Sequence, residues 1–257
     1  MNSQPQPLED DSCMARYYRQ PVMTRGICTM LVWIWMLGAV LYPDLDMRLS
    51  GCPAGILSLE IWRWFTSPFV AGGLIGVLIG VLVFGNIGGQ FERTFGSLAF
   101  GYLFVLFNVL ANVAFTLLVL LAAPLFPSMG LLSPMNCANG VWVSVLGFLV
   151  VYTQRLNTPH MSFWGLCNIP TKLYPWFLLL LFGLLGGSFL DNLCGIMVGY
   201  AFHFGYLTRL LPSEQRFQAW EAAPRLTWIT QAPGHLTYTG SLWNAAGAGE
   251  DGGGGLG

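Results

Sequence analysis

The chain has 257 residues, is 54% hydrophobic and only 9% charged, and carries a formal net charge of -1. Soluble domains are usually about 25% charged, so this balance excludes an ordinary soluble protein and points to one that crosses a membrane several times. The near-neutral charge also offers no basic patch for nucleic acid.

Residues 1–25 read as a polar segment containing Glu9, Asp10 and Asp11, with no short apolar core followed by a small-residue cleavage site, so the first apolar run is expected to stay as an anchor. Six candidate spans follow, at about 26–44, 67–88, 97–124, 138–154, 173–189 and 191–211. Between the first two, residues 45–66 read as an interfacial loop, with Trp62 and Trp64 at headgroup level. With the N-terminus in the cytoplasm, that side receives Arg16, Arg19, Arg25, Arg93, Arg155, Lys172, Arg209, Arg216 and Arg225. The other side receives only Arg48 and Arg63. This asymmetry predicts that both termini are cytoplasmic. The expected fold is an all-α six-helix membrane bundle over 26–211, followed by a flexible cytoplasmic tail over 212–257 that ends Gly-rich.

The six cysteines, at 13, 28, 52, 137, 167 and 194, form no CxxC pair and have no histidine at ligand spacing. They read as small apolar packing residues, and neither a metal site nor a cofactor is expected.

Three features stand out, the third a pair of segments. Ile61-Trp62-Arg63-Trp64 lies in the first loop, and Gln90-Phe91-Glu92-Arg93-Thr94-Phe95-Gly96 joins the second and third spans. Ala138-Asn139-Gly140 opens the fourth span, and Asn192-Leu193-Cys194-Gly195 with Gly199 opens the sixth. Their order, spacing and sidedness resemble the rhomboid superfamily over about residues 25–211. Within it, Phe91–Gly96 and Ser188–Gly195 look most like the non-protease rhomboid domain-containing protein 2 group, with derlins a neighbouring branch. The resemblance implies structural motif residues at Trp62, Arg63, Glu92, Arg93, Gly96, Gly140, Gly195 and Gly199. It places the family's catalytic serine at Asn139 and its histidine at Asn192. The two oxyanion-supporting positions fall near Gly76 and Gly80, and the first glycine of the serine motif is Cys137.

An amide has no hydroxyl nucleophile and does not titrate near neutral pH, so these positions imply lost catalysis. A relocated pair of Ser144 and His203 is disfavoured, because the two fall at different depths. Asn139 and Asn192 are expected either to hydrogen-bond to each other or to backbone, tying the fourth helix to the sixth, or to cap their helices independently. Trp62, Arg63, Glu92, Arg93 and Asp191 read first as braces and caps, and His203 as a packing residue.

The leading expectation is therefore a rhomboid-like pseudoprotease in the endoplasmic reticulum or Golgi membrane. It binds transmembrane client proteins and influences their trafficking or turnover, and its tail has room for a cytoplasmic partner. The rivals are an active intramembrane serine protease and a transporter. The second would need paired charges within the spans, which are nearly free of them.

Overall fold

A computed structural model describes residues 17–126, 130–156, 158–163, 167–184 and 188–238. Among the described residues, three helices are long and apolar enough to cross a membrane: α1 (Val22–Val40), α2 (Gly73–Phe95) and α3 (Ser97–Ala122). Three shorter apolar helices follow: α4 (Trp142–Arg155), α5 (Tyr174–Leu184) and α6 (Leu190–His203). The molecule is a multi-pass membrane protein. Its outward faces present large apolar side chains, among them Met30 and Trp33 on α1 and Ile75 and Leu82 on α2, as a lipid-facing surface requires.

Several boundaries differ from the expected ones. The run at 67–88 enters α2 only at Gly73, because Ser67–Phe69 forms a 3-10 turn around Pro68 that packs the loop against the body. α2 then continues through polar Gln90–Arg93, where the sequence pattern had ended it. α6 stops at His203 instead of 211, as Gly205 takes a positive φ of 81° and the chain breaks into a turn at Thr208–Leu210. An antiparallel hairpin, β1 (His160–Phe163) with β2 (Cys167–Pro170), occupies the α4–α5 connection and was not expected.

Glu92 explains the long α2. Its fully buried carboxylate accepts from the Met23 and Thr24 amides at 2.9 and 2.7 Å, and from the Thr24 and Ser97 hydroxyls at 2.8 and 2.6 Å. The first-turn N–H groups of α1 have no partner within their own helix, so a carboxylate from α2 caps them across space. Gly96 then turns the chain into α3 with φ of 90°, which favours glycine; a Cβ there would also sit 2.7 Å from the Thr237 carbonyl oxygen.

That last contact corrects the expected tail. Residues 212–238 are not a flexible extension but a folded strap on the end of the bundle that holds Glu92. α7 (Glu214–Glu221) buries Phe217 completely, stacked on Tyr238 at 4.9 Å and edge-on to Tyr102 and Trp220. Ser97 N donates to Leu236 O at 2.8 Å, Leu236 N returns a bond to Ser97 Oγ at 3.0 Å, and Val22 N donates to Gly234 O at 3.1 Å. The segment has no amphipathic period because it docks by a few aromatic anchors and main-chain bonds. Residues 239–257 lie outside the described residues.

The core between α2, α3, α4 and α6 is built of phenylalanine. Phe148 lies 5.0 Å from both Phe91 and Phe107, and Phe107 meets Phe202 edge-on at 5.4 Å.

Candidate functional site

At the end of the bundle opposite the strap, the first loop is organised by Arg63. Its guanidinium donates to the Met47 and Ser50 carbonyls at 2.5 and 2.9 Å and pairs with Glu60 at 2.5 Å. Five N–H groups in a rigid fork suit such a loop brace. Trp62, half exposed, accepts from the Phe65 amide at 2.9 Å and so closes the turn that carries Arg63. The braced loop is stitched to the chain entering α4. Gly51 and Ala138 exchange backbone hydrogen bonds of 3.0 and 3.1 Å, Gly140 N donates to Ser67 O at 2.9 Å, and Cys52 forms a disulfide with Cys137. The expectation that all the cysteines are packing residues therefore fails for Cys52 and Cys137. Their 85-residue separation hides the pairing in the sequence, whereas Cys28 and Cys194 are free and buried.

α4 and α6 run side by side in the same direction. Gly195 and Gly199 let them touch: a Cβ at Gly195 would overlap the Val143 carbonyl, and one at Gly199 would lie 2.5 Å from Gly147 O. Small residues at this spacing allow helices to approach closely where lipid supplies no hydrophobic drive. Asp191, in the first turn of α6 and 1% exposed, accepts the Asn192 amide at 2.7 Å through Oδ1. The Asn139 backbone amide interacts with the same carboxylate from across the seam, without completing a well-formed bond to Oδ2. A carboxylate at a helix start also meets the positive end of the dipole.

The sequence profile of the Rhomboid domain matches residues 58–209, more than half of the chain. The chain belongs to the rhomboid superfamily. It is 28% identical to Rhomboid-like protein 15 of Arabidopsis thaliana over 86% of this chain and 55% of that protein, so it spans about half of that relative's length. It is 30% identical to Rhomboid-type serine protease 2 of Gibberella zeae, over 78% of this chain and 74% of that protein. Derlin-1.1 of Zea mays is 31% identical over 59% of this chain and 58% of that protein.

Four of the positions that the resemblance singled out gather around one small cavity of about 50 Å³, lined by Asn139, Gly140, Gly76 and Gly80 together with Leu31 and Trp142. Asn192 is buried on α6 and does not line it. The two asparagines do not bond to each other, and neither caps a helix. α4 begins only at Trp142, so the exposed Asn139 stands upstream of it, and its side chain makes no hydrogen bond among the described residues. Asn192 lies within the first turn of α6 and donates Nδ2 to Ser188 O at 2.6 Å, leaving its Oδ1 buried without a partner. The seam is instead closed by the Gly195 and Gly199 contacts with α4. Arg93 is exposed and shares a recess of about 330 Å³ with Arg155 at the strap end.

Ser144 and His203 are not brought together. The Gly195–Val143 and Gly199–Gly147 contacts set Ser144 level with Ile196, and His203 lies seven residues further along α6, about 10 Å at 1.5 Å per residue. Ser144 is fully buried and accepts a hydrogen bond from Asn108 Nδ2. That bond belongs to a polar ladder absent from the sequence reading. Asn108 Nδ2 also donates to Phe104 O at 2.7 Å, Asn112 Nδ2 donates to Ser67 Oγ at 3.1 Å and Asn108 O at 2.9 Å, and Thr116 Oγ1 donates to Asn112 O at 2.7 Å. Its signal was available. Asn108, Asn112 and Thr116 recur every four residues in an otherwise apolar run, and so fall on one helix face. The ladder ties α3 to α4 and to the first loop.

Proposed function

We propose that this rhomboid-superfamily protein is catalytically inactive. In this reading it is a six-helix bundle with cytoplasmic termini that binds transmembrane clients and influences their trafficking or turnover. One observation carries the inactivity. The chain's three histidines are His160 in β1, His203 at the end of α6 and His235 in the strap, all at the end of the bundle opposite Asn139. Serine attack needs a base within hydrogen-bonding reach of the hydroxyl, and Ser144, the one buried serine on α4, has only an amide beside it. Client binding rests on family membership and on a seam that keeps its glycines and a buried Asp191. The disulfide near Asn139 supports an oxidising lumen at that end, and hence the endoplasmic reticulum or Golgi membrane.

The relatives named as serine proteases supply the competing reading. The test reconstitutes the full chain and a transmembrane reporter in one proteoliposome, beside a Ser144→Ala, His203→Ala double variant. No product from either agrees with the proposal, and proximity labelling in cells then identifies clients. Product from the unaltered chain that vanishes in the variant overturns it.

A further inference from the structure

The recess of about 330 Å³ at the strap end lies between the last turns of α2 and α4, over the buried rings of Phe91 and Phe95. Four side chains with hydrogen-bond donors line it: Gln90 and Arg93 from α2, and Tyr152 and Arg155 from α4. Among the described residues, none of these four side chains makes a hydrogen bond or an ion pair, and no acid lines the recess. Glu92, beside Arg93 in the chain, is buried and committed to Met23, Thr24 and Ser97. A cation in the last turn of a helix is favoured by the dipole. That accounts for one arginine on each helix, but not for two of them lining one recess with two further donors and no counter-charge. Both guanidinium groups belong to exposed residues, so a ligand can reach them.

The helical register joins this recess to the bilayer. Ile75, Leu82, Asn86 and Arg93 fall within about 20° of one line along α2, at 3.6 residues per turn. Ile75 and Leu82 are 72% and 67% exposed, so this line is the lipid-facing stripe of the helix, and it ends at Arg93. The polar group between them, Asn86, turns its Nδ2 back onto Leu82 O at 3.0 Å and leaves the stripe passable to a chain. Leu82 stands about 16 Å along the axis from Arg93, close to the hydrocarbon depth of one leaflet, half of about 30 Å. A lipid whose chains lie against Leu82 therefore has its headgroup at the recess.

We propose that this recess binds the headgroup of a phospholipid that ends in a phosphomonoester, held between Arg93 and Arg155. Guanidinium forks match phosphate oxygens in pairs. A phosphomonoester carries a charge of about -1.5 to -2 and three terminal oxygens, which suits two arginines better than the single charge of a phosphodiester. Gln90 and Tyr152 supply further donors. A choline headgroup would bring a third cation to the same place, and a free phosphate would leave the apolar stripe unused. With the topology proposed above, the lipid belongs to the cytoplasmic leaflet, which carries the anionic lipids. The chemistry of the site does not depend on that topology or on client binding.

The test places the full chain in phosphatidylcholine nanodiscs doped equally with phosphatidic acid and phosphatidylserine, then counts retained lipids by native mass spectrometry. Phosphatidic acid should be retained in preference to both other lipids, and added glycerol 3-phosphate should not displace it. Arg93→Gln and Arg155→Gln should each lower retention about fivefold, as for loss of one charge-assisted partner at a solvent-open site. Arg209→Gln, an exposed arginine outside the recess, should not lower it. Exposure of Cys28 and Cys194 to a thiol dye on heating verifies that the variants are folded. Equal retention of phosphatidylserine or phosphatidylcholine overturns the assignment. So does an equal loss in Arg209→Gln, full retention in folded Arg93→Gln and Arg155→Gln, or displacement by glycerol 3-phosphate, which would make the ligand a soluble phosphate.

Discussion

Glu92 gives the most demanding test of this architecture. Removing its side chain in Glu92→Ala strands two first-turn amides of α1 and two hydroxyls, in a site with no water access. Hydrogen bonds to a charged group contribute about 1.5–3 kcal/mol each, but four bonds to one carboxylate are not additive. A loss of about 3–5 kcal/mol is therefore expected, as for other broken buried charge networks. For a folded unit of this size that corresponds to a fall of about 6–20 °C in the unfolding midpoint. The buried thiols of Cys28 and Cys194 supply the readout, because a thiol-reactive dye reports their exposure on heating. Glu92→Gln keeps one acceptor and should fall between the two, and Arg93→Ala, an exposed neighbour, should change little. A Glu92→Ala midpoint within about 2 °C of the unaltered chain would refute the capping role.

Three further outcomes are expected. Gly199→Ala forces a Cβ onto Gly147 O and should destabilise by about 1–3 kcal/mol, whereas Gly76→Ala meets open space and should be neutral or slightly stabilising, both read by the same dye assay. Alkylation of denatured chain with a mass-tagged maleimide should modify Cys52 and Cys137 only after reduction; modification of both beforehand would mean that the disulfide does not form in the cell. In the strap, burial and the nearby Glu214 carboxylate push the Tyr238 phenol up to about 12. The unfolded phenol titrates near 10, so docking is favoured fully below about pH 10 and weakens as the pH rises toward 12. A difference titration of tyrosinate absorbance against Tyr238→Phe should place that midpoint near 12, and a midpoint near 10 would mean that the strap is undocked.

The long hydrophobic runs were readable because lipid imposes length: α3 was expected at 97–124 and is Ser97–Ala122. The ends failed where polar residues are satisfied inside the protein. Glu92 looked like the end of a span, yet its four donors come from α1 and α3, up to 69 residues away in sequence. Asn139 and Asn192 were placed relative to their helices only to within a turn, and the tie between α4 and α6 expected of them is made instead by the glycine contacts. The strap was missed because aromatic anchoring leaves no periodicity. The disulfide was missed because sequence spacing does not specify a pairing.

Glu92 and Ser97 also set an order in time. α1 is made first, but the carboxylate that caps it arrives about 68 residues later, and Leu236, which completes Ser97, follows 139 residues after that serine. At a synthesis rate of about 5–20 residues per second, the first delay lasts about 3–14 s and the second about 7–28 s. During that interval the start of α1 has no internal partner for its amides and must rest at the membrane surface or against another protein. The bundle is sealed at its first helix only when nearly the whole chain has emerged, so a chain stopped short of residue 236 would carry its defect at the opposite end of the sequence.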